Sequence, residues 1–357
     1  MSQPSEGSRD GGASTTPAEP VAESKAIQRR TGATFHLATR VLPRRVRHAT
    51  YVLYAFFRVA DDVVDDPDPG PPAEQRRELE RMREAAHGRT DSDDAVVTAF
   101  HRIADEHGVS PTEIDEFVDA MLRDVEGADY ETYEDLEAYL RGSSVAVANM
   151  MLAVMDPPQA DEARPHARAL AEAFQLTNFV RDVKEDVRDY DRVYLPKATL
   201  REHGVSTDDV RALEPSPAVR EAVRTELRRT ERRYRDGVAG IRMLPPDCQF
   251  AVLLSATLYA EHHRLIRARN FDVLTGRPSL STARRLVVLA RTWAAWKRFD
   301  DPETVFYHVS PVPETEDVPQ EVQATSAGRR GRLSSAIRDR TPQGLGAVGS
   351  VVPWRSD

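Results

Sequence analysis

The chain has one cysteine, Cys248, in 357 residues. That excludes an intramolecular disulfide framework and a cysteine-built zinc site, and it fits a reducing compartment. Lysine is nearly as scarce: Lys25, Lys184, Lys197 and Lys297 are the only ones, and the remainder of the 49 basic residues are arginines. Arginine in this proportion beside 58 acidic residues fits a GC-rich coding sequence or a high-salt habitat. The net charge of −9 argues against the basic face of a sequence-independent nucleic-acid binder, so no nucleic-acid partner is expected. Long hydrophobic runs are also missing. The longest candidates, VAVANMMLAVM (145–155) and FAVLLSATLYA (250–260), fall well short of the ~20 residues that span a bilayer and read as buried helix. The opening MSQPSEGSRDGGASTTPAEP has no hydrophobic segment of the secretory kind, so a cytoplasmic location is expected. No stretch alternates for long as a strand would, and no repeat of 20–50 residues is evident.

What is present is helical period. With 40% hydrophobic residues the chain can bury a sizeable core. Apolar residues recur on helical faces over 44–66, 73–86, 93–107, 111–126, 133–155, 165–190, 217–243, 246–270 and 281–299. Ser110-Pro111 ahead of Glu113, and Ser281-Thr282, are start signals. Residues 1–24 read as a disordered tail and 311–357 as a flexible one, rich in Pro, Gly, Ser and charge. Between them, residues 25–310 are expected to form one all-α domain, a helical bundle around a central core or cavity.

Two stretches put oxygen ligands where apolar residues are expected. In YAFFRVADDVVDD (54–66), Asp61 and Asp65 stand at i,i+4, which puts both carboxylates on one face ~5–6 Å apart at Cβ. Tyr54 and Arg58 lie on the same stripe, whereas Asp62 and Asp66 form a second pair rotated away from it. Alone, this is most simply a solvated helix end. In FQLTNFVRDVKEDVRDYDRVYLP (174–196), Asn178, Asp182 and Asp186 share a face, with Gln175 one turn earlier and Arg181, Lys184 and Arg188 alongside. Alone, that is most simply a charge-laced surface helix. Together they describe something else. Magnesium takes hard oxygen ligands, commonly one or two carboxylates completed by substrate phosphates. Two acidic helices facing across a cavity could hold Mg²⁺ (or Mn²⁺) and a diphosphate, with arginines completing the anion site. Apolar and aromatic walls would hold a hydrocarbon chain and keep water from a carbocation.

These two motifs resemble those of the squalene/phytoene synthase family, and within it the microbial phytoene synthases. TGATFHLATRVLP near the start, Tyr139 opening YLRGSSVAVANMM, and LYAEHHRLIRARNFDVLTGRPSLSTARRL extend the likeness over about residues 25–300. The resemblance implies an all-α isoprenoid-synthase fold and the Mg²⁺-assisted, head-to-head condensation of two geranylgeranyl diphosphates through a cyclopropyl diphosphate to phytoene, with no need of NADPH. It implies Asp61 and Asp65 as ligands of a first metal cluster, and Asn178, Asp182 and Asp186 of a second. It assigns substrate or diphosphate contacts to Tyr54, Arg58, Tyr139, Gln175, Arg181, Tyr259 and Arg277, and a pocket-lining role to Phe35. The chain departs from the family at Thr31-Gly32-Ala33-Thr34, where many members have Ser and Lys. There the hydroxyls of Thr31 and Thr34 and the backbone N–H groups are left to bind phosphate. It departs again at Arg141 and Ala148, which replace a Tyr and a Gly.

A squalene or dehydrosqualene synthase acting on farnesyl diphosphate is the alternative within the family, and a non-enzymatic helical scaffold the alternative outside it. Chain-elongating prenyltransferases carry Asp-Asp-x-x-Asp as their second motif, whereas the second stripe here is Asn178, Asp182 and Asp186. His262-His263, adjacent and so unable to share a helix face, is expected at the surface or in a substrate channel. LRRTERRYR (227–235) is expected to be a solvated face, and Trp293 with Trp296 a core or membrane-facing pair. A hydrophobic substrate makes peripheral membrane association the expectation, through a rim that the sequence does not identify.

Overall fold

The computed structural model describes residues 37–65, 70–127 and 129–315. Thr31, Thr34, Phe35 and Asp66, and all of the expected tails except 311–315, lie outside the described residues. Within them the chain is helical, with no strand beyond an isolated bridge between Asp129 and Val193.

The helices are α1 (Arg44–Val64), α2 (Pro72–Ala86), α3 (Ala95–Glu106), α4 (Pro111–Glu126), α5 (Tyr133–Leu140) and α6 (Val147–Met155). Then follow α7 (Ala160–Tyr190), α8 (Lys197–Glu202), α9 (Thr207–Arg211), α10 (Pro217–Val238), α11 (Pro246–Ala268), α12 (Thr282–Arg298) and α13 (Pro302–Val309). Their starts follow from local chemistry. Proline occupies the first turn of α2, α4, α10, α11 and α13, where its missing N–H is not needed. Asp94, Ser216, Ser281 and Asp301 accept bonds from the free N–H groups of α3, α10, α12 and α13, as good N-caps do. Ser110 makes no such bond. Glu113, read from the sequence as part of the start signal, is instead drawn to Arg141 and Asn149.

Three boundaries differ from the periodicity. Residues 133–155 do not form one regular helix, because a π-helical turn (Arg141–Ala146) separates α5 from α6. Glu113 of α4 receives both Arg141 Nη1 (2.8 Å), from the first residue of the widened turn, and Asn149 Nδ2 (3.0 Å), from the helix beyond it. The helix α7 begins before Pro165, which is exposed within its early turns and so forfeits only a solvent-side hydrogen bond. The segment after Val238 tightens into a 3₁₀ turn (Ile241–Met243).

The longest helix, α7, runs through the middle of the bundle, packed along α10 and against α6 and α11. On one side α1 to α4 close over Phe56, Phe100 and Phe117, with Phe56 stacked on Phe100 at 3.8 Å. The stretch Tyr133–Met155 is long and apolar enough to cross a membrane, but most of it is buried among α1, α4 and α7, as expected of a core helix. A buried polar chain holds α7 from behind. Thr177 Oγ1 lies 3.1 Å from Tyr234 Oη and 3.0 Å from His263 Nε2, and His263 Nδ1 meets Glu231 at 3.1 Å. Two expectations are corrected here. His262 and His263 are both buried, 4% and 0% exposed, because α11 is covered on several sides. In 227–235, Leu227, Thr230, Glu231 and Tyr234 are buried against neighbouring helices, so only the intervening arginines meet solvent.

Candidate active site

A cavity of about 600 Å³ opens between α1, α4, α5–α6, α7 and α11. From α1 it is lined by Tyr54, Arg58, Asp61 and Asp65, and from α7 by Gln175, Asn178, Arg181, Asp182 and Asp186. Helical spacing alone predicts each stripe, and the tertiary fold brings the two to one cavity. Tyr139 and Tyr259 also line it. Arg277 is not a wall residue, but its guanidinium reaches Asp182 at 2.8 and 3.1 Å. Asp62 is 66% exposed and held by Arg58, outside the cavity as its position on the helix implies.

The carboxylates here are too many for the cations beside them. Asp61 is pushed up to about 7, first by loss of water, with Asp65, Asp124 and Asp62 adding repulsion that Arg58 only partly offsets. Asp186 is pushed up to about 8 by burial and by Asp182, against the pull of Arg192 and Arg181. Asp182 is better matched, accepting a fork from Arg181 and another from Arg277. Carboxylates crowded away from water are raised in this way unless a cation joins them.

Two charged groups escaped the sequence reading. Asp124 of α4 lies on the cavity wall, 8% exposed. Its Oδ2 accepts the Tyr139 hydroxyl at 2.7 Å, while its Oδ1 has no hydrogen-bond partner. Burial raises it to about 6 despite Tyr139 and Arg192. Arg192, just past α7, donates to Asp65 Oδ1 at 2.9 Å and to the Asp124 backbone carbonyl at 3.4 Å. It thereby ties the end of α7 to the ends of α1 and α4. Arg192 lies inside the second motif, and a basic residue two before Tyr194 was the available signal. Asp124, in LRDVEG, carries no local signal.

Away from this charged end the wall is mostly apolar, with a few uncharged polar groups such as Thr50, Ser143 and Ser255. Phe57, Phe117, Met121, Met151, Leu152, Met155, Leu170 and Leu244 line it with aromatic rings between. Phe179 stacks on Tyr194 at 4.0 Å, Tyr139 lies 6.0 Å from Tyr194, and Phe174 stacks on Tyr259 at 4.6 Å. Ser143, Ser144, Val147 and Ala148 bring the π turn and α6 onto the wall. Arg141 turns away from it to Glu113, so its departure from the family pattern leaves the cavity side of this segment intact.

Among the described residues no three carboxylate, thiol or imidazole groups converge closely enough to hold a metal ion unaided. The donor set nevertheless fits a hard divalent cation completed by phosphate oxygens. Asp61, Asp65, Asn178, Asp182 and Asp186 offer only oxygen ligands, the free Asp124 Oδ1 is buried beside them, and raised carboxyls await positive charge.

Known proteins resemble this chain over most of its length. A model of the squalene/phytoene synthases matches residues 28–284. The phytoene synthase of Rhodobacter capsulatus is 32% identical over 270 residues, 74% of this chain and 78% of its own length. The 15-cis-phytoene synthase of Synechococcus elongatus is 30% identical over 290 residues, covering 75% of this chain and 90% of its own. Among solved structures, a dehydrosqualene synthase in complex with ligand superposes with a TM-score of 0.72 at 24% identity, over 79% of this chain and 98% of that one.

Proposed function

The chain belongs to the squalene/phytoene synthase family and has its all-α isoprenoid-synthase fold, and from that premise we propose that it joins two geranylgeranyl diphosphates head to head, through a cyclopropyl diphosphate, to give phytoene. One observation carries the reading: a single cavity is divided into a carboxylate- and guanidinium-lined end and an apolar, aromatic remainder. A prenyl diphosphate is divided in the same way. The relatives named as phytoene synthases support the longer of the two candidate substrates.

Mg²⁺, or Mn²⁺ in its place, would neutralise the leaving diphosphate so that the allylic C–O bond can ionise. Asp61, Asp65, Asn178, Asp182 and Asp186 would hold it. The chain's own groups do the remaining work. Arg58, Arg181, Arg192 and Arg277 present guanidinium forks to diphosphate oxygens, with Tyr54 and Gln175 on the same wall. The rings of Tyr139, Phe174, Phe179, Tyr194 and Tyr259 offer π faces to a developing carbocation. The surrounding aliphatic side chains keep water from capturing it. Two diphosphates and two protons leave over the whole reaction. No hydride enters, so no NADPH is consumed.

Purified protein incubated with Mg²⁺ and either geranylgeranyl or farnesyl diphosphate, with and without NADPH, tests the proposal. A C40 hydrocarbon formed without NADPH is expected. A C30 product formed from farnesyl diphosphate alone would overturn the substrate, and no diphosphate release from either would overturn the reaction.

A further inference from the structure

One helix face has no part in the cavity. The helix α12 lays Val288, Thr292 and Ala295 into the core, with Val288 against Leu254 and Leu258 of α11. Its other side carries Ala283, Leu286, Val287, Ala290, Trp293 and Ala294, all exposed, at the spacings of three and four that share one helical face. Leu286 and Trp293 are each 55% exposed and Val287 45%. A surface helix of a globular protein places polar residues on that side, whereas α12 is apolar on both. Trp296 turns inward, 5.8 Å from the Phe250 ring, so the two tryptophans divide between core and solvent.

The charge of this helix is one-sided. Arg284, Arg285, Arg291, Lys297 and Arg298 are basic and nothing from 282 to 298 is acidic, in a chain of net charge −9. Arg284 is engaged with the buried Glu261 of α11 at 2.8 Å and fastens the helix to the body. Arg291, Lys297 and Arg298 are exposed. Lys297 lies 5.9 Å from the Trp293 ring centroid, and Arg298 lies over Phe299. Asp300 and Asp301 follow beyond the helix end, where Asp301 caps α13.

An apolar stripe bordered by cations, with a tryptophan at its edge, suits a helix lying in the plane of a bilayer interface. A second copy suits it less, since a two-fold interface sets a patch against itself and would bring these cations together. An anionic surface complements them. We propose that the outward face of α12 is the surface by which the protein docks on a bilayer containing anionic lipid. The face also adjoins the cavity's surroundings. The helix beneath it, α11, carries Val252, Ser255 and Tyr259 on the cavity wall. Leu37, packed with Leu289 against the same apolar cluster, leads into Ala38 and Thr39 of that wall. Docking stands on α12 alone, while its use, a short path for a membrane-dissolved prenyl chain, rests on the proposed function.

Flotation of the full-length protein with vesicles tests it, using phosphatidylcholine alone and mixed with phosphatidylglycerol. Binding to the mixed vesicles is expected, weakening as salt is added. The substitutions L286E and W293E together should abolish it. Neutralising three exposed cations in R291Q/K297Q/R298Q should weaken it roughly 100-fold, at about fivefold for each. Circular dichroism and melting curves check that both variants fold, and the second leaves every apolar side chain of the face in place. The proposal falls if the parent ignores mixed vesicles or if both folded variants bind as it does. It also falls if L286E/W293E instead dissolves a dimer that binds no vesicle, which would assign the face to a second copy. Flotation needs no turnover, so failed docking leaves the proposed reaction standing, and an inactive protein that floats leaves docking standing.

Discussion

Asp61, Asp124 and Asp186 have ordinary carboxyl chemistry but stand at about 7, 6 and 8 because burial and mutual repulsion penalise their charged forms. The consequence for stability has a definite sign. A carboxyl raised in the folded state binds more protons there than in the unfolded chain, so its contribution is complete below its ordinary value and is lost as pH rises through the raised one. These three carboxyls should therefore lower the melting temperature of metal-free protein as pH rises from about 4 to 8, against the opposite but smaller pull of His262 and His263, which burial lowers. The substitution Asp186→Asn removes one of these groups. It should flatten the decline and raise the melting temperature at pH 8 by about 2–5 °C, while diphosphate release falls on the order of 100-fold or more. Melting curves in chelator across this range are the check, and a slope equal to the parent's would sink the account. Such residues were legible because helical spacing fixes the face of Asp61 with Asp65 and of Asn178 with Asp182 and Asp186. Asp124 was not, since its role comes only from Tyr139 and Arg192, which folding brings to it.

At the scale of elements, periodicity located the long helices because each buries one face, and it faltered where packing overrode a regular repeat. The short α8, α9 and α13 offer too few turns for a period to register. The π turn is a tertiary feature. It is fixed by Glu113, by Arg141 at its start and Asn149 beyond its end, and by the approach of α4 to Gly142, where a Cβ would lie 2.1 Å from the Glu116 carbonyl oxygen. Backbone cannot yield as a flexible side chain can. Gly142→Ala should therefore cost about 1–3 kcal/mol, seen as a lower melting temperature. It should also lower turnover, because Ser143, Ser144 and Val147 beside it form cavity wall. An unchanged melt would show that α4 and the π turn separate freely, and that the wall is less fixed than these contacts imply.

The whole molecule is organised so that neither acidic helix makes the site alone. The helix α1 supplies one carboxylate stripe and α7 the other, and Arg192 links them through Asp65 across 127 residues of sequence. Arg277, 95 residues from Asp182, closes the cationic side. A ligand that satisfies both stripes binds the folded chain and has nothing equivalent in the unfolded one, so it stabilises by mass action. The two components should act together. Mg²⁺ alone meets carboxylates too widely placed to complete its shell, and diphosphate alone meets the arginines but also the carboxylate charge. Bound together, each supplies what the other lacks. Saturating Mg²⁺ with inorganic diphosphate at ~100 times its dissociation constant adds about 2.7 kcal/mol, which for a domain of this size is a rise of roughly 4–6 °C in melting temperature. Either component by itself should give well under half of that. Differential scanning fluorimetry with each alone and with both resolves the matter. Additive single-component shifts would mean two independent sites, and the paired acidic helices would then lose their claim to a shared ligand.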